Sequence, residues 1–177
     1  MSLKIGVVTS RFNDEVTSKL ENGAIDYLST VDLDIEILSV RVPGAVEIPL
    51  ACQALFEQGC EGVVALGAVI RGETSHYDYV CNSVERGVTA LMLEYKKPIG
   101  FGVLTTENEE QAHDRAGGKH GNKGVDCAQV VLEMIGLLEN LQKPIEPVAK
   151  PAKASKVLRG RLPKSKIPKV SAKKTRK

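Results

Sequence analysis

The segment VIRGETSHYDYVCN, residues 69–82, closes an apolar run with a glycine and sets a histidine four residues after it. A glycine turn leading from a strand into a helix leaves backbone N–H groups without intrahelical acceptors. Those groups, with the helix dipole, attract an anion such as a phosphate. Glu73 must then turn its carboxylate away, so that the amides of Glu73 and Thr74 face the anion. His76, one of three histidines in the chain, falls about one turn into the helix. An imidazole with an unperturbed pKa of about 6.5 is suited to shuttle protons beside the anion. A helix-start histidine bonded to a neighbour is the competing account. His113 and His120 fall in a short acidic helix and at a loop tip, where exposure is expected.

Three other places hold residue types that could do chemistry. Phe12 stands between Arg11 and Asn13 in the polar loop SRFN. It is either packed in the core or a stacking platform for a flat heterocycle. Glu47 opens a helix after Pro43-Gly44, where it either stabilises the helix N-terminus or accepts hydrogen bonds from a polyol. The loop DRAGGKHGNKG (114–124) sets Arg115, Lys119 and Lys123 among four glycines. Glycines let the backbone approach closely, and cations suit a phosphate. A solvated surface loop accounts for the same composition.

The elements that must position these residues are legible as alternating periods. KIGVVT (4–9), DIEILSVRV (34–42), GVVALGAVI (62–70) and PIGFGVLT (98–105) read as strands. Val16, Leu20, Ala24 and Leu28 recur every four positions, marking a helix with Asn13 as its cap. Helices are expected over 45–59, 77–96, 107–116 and 125–141, with a loop at 117–124. The second of these, 77–96, aligns Val80, Val84, Val88 and Leu91. Continuous apolar strands separated by helices imply a parallel sheet covered on both faces, a three-layer α/β/α sandwich. Ligands bind such sheets at the carboxyl ends of the strands, which is where Arg11, Phe12, Glu47, Arg71, Thr74, Ser75 and His76 would gather.

Composition bounds the rest. No window approaches the roughly 18 apolar residues of a membrane span. No basic n-region followed by an apolar h-region opens the chain, and a cytoplasmic protein is expected. Cys52, Cys60, Cys81 and Cys127 show no CxxC spacing and no paired histidines, so no metal site is expected, and four reduced, buried thiols are. The formal net charge of +2 hides a division. Residues 143–177 hold 13 of the 24 Lys+Arg and one of the 22 Asp+Glu, which is +12, and leave residues 1–142 at −10. The basic stretch also contains five of the eight prolines and no aromatic residue. It is expected to be a disordered tail beyond a single acidic domain, 1–142.

SRFN, VPGAVEIP, LGAVIRGETSHYDYV, FGVLTTEN and RAGGKHGNKGVDCA resemble, in order, the signature segments of the 6,7-dimethyl-8-ribityllumazine synthase family. The resemblance runs from about residue 3 to about residue 141. It implies a flavodoxin-like fold and a transferase that needs no metal or redox cofactor. Such an enzyme condenses 5-amino-6-(D-ribitylamino)uracil with 3,4-dihydroxy-2-butanone 4-phosphate in riboflavin biosynthesis. By the resemblance, Phe12 would stack on the uracil, and Ala45, Val46 and Glu47 would contact the ribitylamino-uracil. Ala68, Val69 and Ile70 would read the uracil edge with backbone groups. Glu73 and Thr74 would offer amides to the phosphate, Arg115 would bind it, and His76 would donate the proton. Phe101 and Lys123 would complete the pocket from a neighbouring subunit, with Lys119 a weaker candidate.

The resemblance also implies a homopentamer with shared active sites, which some members assemble into an icosahedral shell. The short GGKHGNKG loop fits shell-forming members. The three residues before KIGVV, where the family usually carries a longer segment, favour the pentamer. A pentameric riboflavin synthase of similar fold, and a flavin- or polyanion-binding protein without catalysis, are the rival readings. Nothing in the resemblance accounts for the basic tail, which is either a solubilising extension or a binder of nucleic acid or another polyanion.

Overall fold

The computed structural model describes residues 2–143. The basic tail, apart from its first residue, lies outside the described residues. Four strands form one parallel sheet: β1 (Leu3–Ser10), β2 (Ile35–Val42), β3 (Gly62–Ile70) and β4 (Ile99–Thr106), in the order β2-β1-β3-β4. Five helices connect and flank them: α1 (Asp14–Thr30), α2 (Ile48–Glu57), α3 (His76–Tyr95), α4 (Glu109–Asp114) and α5 (Lys123–Leu141). The expected three-layer sandwich is present. Alternation along each inner strand assigns side chains to its two faces. Val7, Val64 and Leu66 pack under α1 and α5, with Leu20 and Val131. Val8, Val63 and Ala65 pack under α2 and α3, with Ile48, Val84 and Val88. Each fully buried Val, Leu or Ile contributes about 1.5–3 kcal/mol relative to exposure.

Element bounds depart from the sequence reading in places where geometry overrides periodicity. The helix expected over 45–59 opens as a 3-10 turn, Ala45–Glu47, before α2 begins. α3 starts at His76 itself. Of the apolar row on α3, Val84, Val88 and Leu91 are buried, whereas Val80 is only half-buried. The loop expected at 117–124 contains a small hairpin of β5 (Ala116–Gly118) and β6 (Gly121–Asn122), with Gly117 and Gly121 at positive φ. Its glycines hid the strand signal. Asn13 precedes α1 in the left-handed region (φ 59°) that asparagine tolerates. Its side chain makes no cap; Nδ2 donates to the Ala68 carbonyl at 2.8 Å.

Of the four thiols, Cys52, Cys60 and Cys127 are buried as expected and none is disulfide-bonded, but Cys81 is only half-buried. Burial pushes the Cys52 thiol from about 9 up to about 12. Because the folded value lies above the unfolded one, the unfolded chain loses this proton first as pH rises. Stability from this group is therefore complete below about pH 9 and lost toward pH 12, at a slope of up to ~1.4 kcal/mol per pH unit. Urea midpoints measured from pH 8 to 11 should fall less steeply for Cys52→Ala than for the parent chain.

Close helix packing rests on two glycines. A Cβ on Gly100 would lie 2.5 Å from the Cys127 carbonyl of α5, and one on Gly124 would collide with the Leu20 carbonyl of α1. Neither obstacle is a side chain that can swing aside. Gly124→Ala should therefore lower the urea midpoint by an amount equivalent to about 1–3 kcal/mol, the usual range for overpacking. An unchanged midpoint would mean that α1 and α5 separate freely.

Candidate functional site

The carboxyl ends of β1 and β3 flank a cavity of about 360 Å³, within the range of small-molecule sites. Each wall comes from a different connection. The β1–α1 loop supplies Phe12, and the 3-10 turn after β2 supplies Ala45, Val46 and Glu47. The end of β3 supplies Ala68, Val69 and Ile70, and the turn into α3 supplies Thr74 and His76. Most of the residues singled out in the sequence thus meet in one place within a single chain. Gly44, Gly72, Tyr77 and Val80 also line the cavity and were not singled out. Val80 could have been found from its place at the rim end of the α3 stripe, and Tyr77 from its place directly after His76.

Phe12 is 70% exposed, so core packing does not explain it. Its ring stands at the cavity mouth, and the Asn13–Ala68 hydrogen bond ties the Phe12 loop to the end of β3. One Glu47 oxygen, Oε2, accepts from the Gly44 N–H at 2.9 Å. This satisfies the helix-start reading while its other oxygen stays available at the cavity wall. Thr74 Oγ1 accepts weakly from the His76 N–H at 3.4 Å. The exposed turn from Gly72 to Ser75 leads into the first turn of α3, whose N–H groups have no intrahelical acceptors.

Arg71 holds this turn from below. Its N–H donates to the Thr106 carbonyl at 2.9 Å, Nε to Glu107 at 2.8 Å and Nη2 to Asp78 at 3.3 Å. Its guanidinium carbon lies 4.0 Å from the centroid of the Tyr77 ring, in cation–π range. The hydrogen bond to Asp78 is the main cause of a raised Arg71 pKa. Arg71 therefore spans the end of β4, the Gly72–Ser75 turn and the start of α3, and steadies a ring that lines the cavity. Desolvation pushes the Tyr77 hydroxyl pKa upward.

Glu73, Phe101, Arg115 and Lys123 do not line this chain's cavity. Phe101, on the edge strand β4, is 40% exposed. Lys123 Nζ lies 2.6 Å from Asp126, and Lys119 pairs with Glu110 and Asp114. Arg115 is held by a neutral group, Nη1 donating to the Gln111 carbonyl at 2.9 Å. A second hollow of about 280 Å³ beside Asn13 is lined by Asp14, Glu15, Glu109 and His113, a setting that disfavours an anion. Among the described residues, no group of three or more His, Cys, Asp or Glu could hold a metal ion, and no helix is long and apolar enough to cross a membrane.

The chain is similar to known proteins over most of its length. A family profile for 6,7-dimethyl-8-ribityllumazine synthase matches residues 2–139. A 6,7-dimethyl-8-ribityllumazine synthase of Bdellovibrio bacteriovorus is 71% identical over 139 residues, spanning 78% of this chain and 77% of the relative. One from Desulfovibrio desulfuricans is 51% identical over 141 residues, spanning 78% of this chain and 90% of the relative. The chain belongs to the 6,7-dimethyl-8-ribityllumazine synthase family, enzymes of the transferase class that serve riboflavin biosynthesis.

Proposed function

We propose that this chain condenses 5-amino-6-(D-ribitylamino)uracil with 3,4-dihydroxy-2-butanone 4-phosphate to 6,7-dimethyl-8-ribityllumazine. The observation that carries the reading is the cavity itself. It gathers one exposed ring, one carboxylate, strand-end backbone groups, an amide turn and one imidazole. The pyrimidine amine attacks the ketone, and a first water leaves as the Schiff base forms. Phosphate is then eliminated, the resulting enol returns to a ketone, and the ribitylamino nitrogen closes the ring with loss of a second water. Phe12 stacks on the pyrimidine, Glu47 accepts from the ribityl hydroxyls, and the Ala68–Ile70 backbone reads the uracil edge. Glu73 and Thr74 offer amides to the phosphate, and His76 carries protons between the steps.

Arg115, Phe101 and Lys123 belong to this scheme as groups supplied across a subunit boundary, in a homopentamer with shared sites. Their place outside this chain's own cavity supports that reading, as do the exposed Val46, Leu50, Tyr79 and Leu93 beside the site and on α2 and α3. Light scattering should give a mass near five times the 19.1 kDa chain; a monomer that is fully active would overturn the shared site. A cytoplasmic setting, where both small substrates would be at hand, fits the same scheme.

The chain mixed with both substrates should accelerate lumazine fluorescence and phosphate release together over the spontaneous condensation. No acceleration would refute the activity, and lumazine consumption without phosphate release would indicate the riboflavin synthase reaction instead. His76→Ala should slow turnover roughly 10- to 100-fold, since one acid–base group contributes about two to four decades and proximity supports much of this condensation. An unchanged rate would remove His76 from the mechanism.

Arg71 acts as a positioning residue for the anion turn. Two partly exposed ion pairs and a stacked ring each hold the turn modestly. Arg71→Ala should therefore raise KM for the phosphorylated ketone roughly 5- to 30-fold with little change for the pyrimidine. Arg71→Lys, which keeps the charge but loses the planar fork, should recover only part of this. Equal effects on both substrates would assign Arg71 to general stability.

A further inference from the structure

We propose that the floor of the cavity is a methyl subsite with Val80 as its selecting residue. It takes the terminal methyl of the ketone substrate and rejects a ketone that carries a hydroxyl there. This rests on the condensation proposed above. Polar and apolar lining groups separate by depth. Glu47, Thr74 and His76 lie toward the rim, in the 3-10 turn after β2 and around the start of α3. Ala45, Val69 and Val80 also line the cavity, but they belong to, or pack against, the core cluster beneath α2 and α3. The cavity opens polar and ends apolar.

Two periodicities bring Val69 and Val80 to the same depth. Val63, Ala65 and Val69 project from one face of β3, and the first two pack with Val84 and Val88 of α3. A helix that joins two parallel strands runs back along them, so each turn of α3 lies deeper beneath the rim. Residues four apart share a helix face. Val80 therefore stands below His76 by about one turn, ~5.4 Å. Val84, the next residue of that row, is fully buried, whereas Val80 still lines the cavity. Val80 is thus the deepest side chain of the row that a ligand can touch.

The dimensions of the ketone match this depth. With its phosphate on the amides of Glu73 and Thr74, a four-carbon chain reaches about one helical turn inward, ~5.4 Å. Its carbonyl then lies beside His76, and its methyl meets Val69 and Val80. The phosphate and the hydroxyls of the substrate find donors and acceptors near the rim, and the methyl needs none. A ketone of the same length ending in hydroxymethyl would bury a hydroxyl against two valines. Neither side chain can accept or donate a hydrogen bond, and an unpaired buried hydroxyl is disfavoured.

The test measures kcat/KM from phosphate release at saturating pyrimidine, using the full chain and three ketones. These are 3,4-dihydroxy-2-butanone 4-phosphate, its hydroxymethyl analogue 1,3,4-trihydroxy-2-butanone 4-phosphate, and its ethyl-ketone homologue. The parent chain should prefer the methyl ketone to the hydroxymethyl ketone by roughly 100-fold, the selectivity an apolar pocket holds against one added hydroxyl. Val80→Thr, which sets a hydroxyl on the floor, should narrow that preference about five-fold, as expected for one neutral hydrogen bond. Val80→Ala, which deepens the floor, should instead relax the rejection of the ethyl ketone about ten-fold. A ratio of two ketones on one preparation does not depend on how much of a variant is folded, so lost stability cannot imitate either result. No preference in the parent chain, or ratios that neither variant changes, would overturn the subsite and leave the condensation standing. A raised KM for the pyrimidine at fixed ketone ratios would also overturn it, by placing Val80 against the pyrimidine. Phosphate released from none of the three ketones would refute the condensation itself, and the subsite with it.

Discussion

A parallel sheet must be covered on both faces, and this requirement fixes where the chain opens a pocket. From β1 the chain crosses through α1 to β2 on one side. From β2 it crosses through α2 to β3 on the other side of β1. Right-handed crossovers in opposite directions lie on opposite faces, and α1 and α2 do so. The loops leaving β1 and β3 therefore diverge above adjacent strands, and a crevice forms between them. The cavity sits there. The Asn13–Ala68 hydrogen bond crosses from one loop to the other strand at 2.8 Å and holds the crevice at a fixed width.

The layers were legible because burial imposes period. Val16, Leu20, Ala24 and Leu28 could be read as one face from spacing alone, and all four are buried. The rim was legible for a different reason: strand ends in an α/β alternation must gather, so naming the strands named the neighbours. What spacing did not reveal were the local departures from period. Asn13 looks like a cap in sequence, yet its left-handed backbone sends its side chain to another strand. Val80 belongs to a core stripe by period, yet α3 runs past the sheet edge there and Val80 faces the cavity. The β5–β6 hairpin gave no apolar alternation because glycine at positive φ, not side-chain packing, forms it. Phe101, Arg115 and Lys123 are a further class. No periodicity within one chain indicates which side chains meet in an assembly, and their grouping rests on the family resemblance.

The cations around the site separate by what neutralises them. Arg71 is bound by two carboxylates, Lys119 by two and Lys123 by one. Within the single chain, carboxylates beside each of these side chains offset part of its charge. Arg115 instead donates to a carbonyl, which fixes its orientation and leaves its full charge uncompensated. A guanidinium held by a neutral acceptor is organised for an incoming dianion at little cost in lost ion pairing. That distinction, more than proximity within the chain, favours Arg115 as the phosphate ligand of the proposed scheme.

The same logic bears on why so basic a chain carries so acidic a domain. The net +2 is a sum of −10 over residues 1–142 and +12 over residues 143–177. A dense cationic segment beside the anion turn would hold the phosphorylated substrate and the released phosphate as strongly as the transition state, which lowers KM without raising turnover. The described pocket instead carries backbone donors, one carboxylate and one imidazole, with no Lys or Arg in its lining.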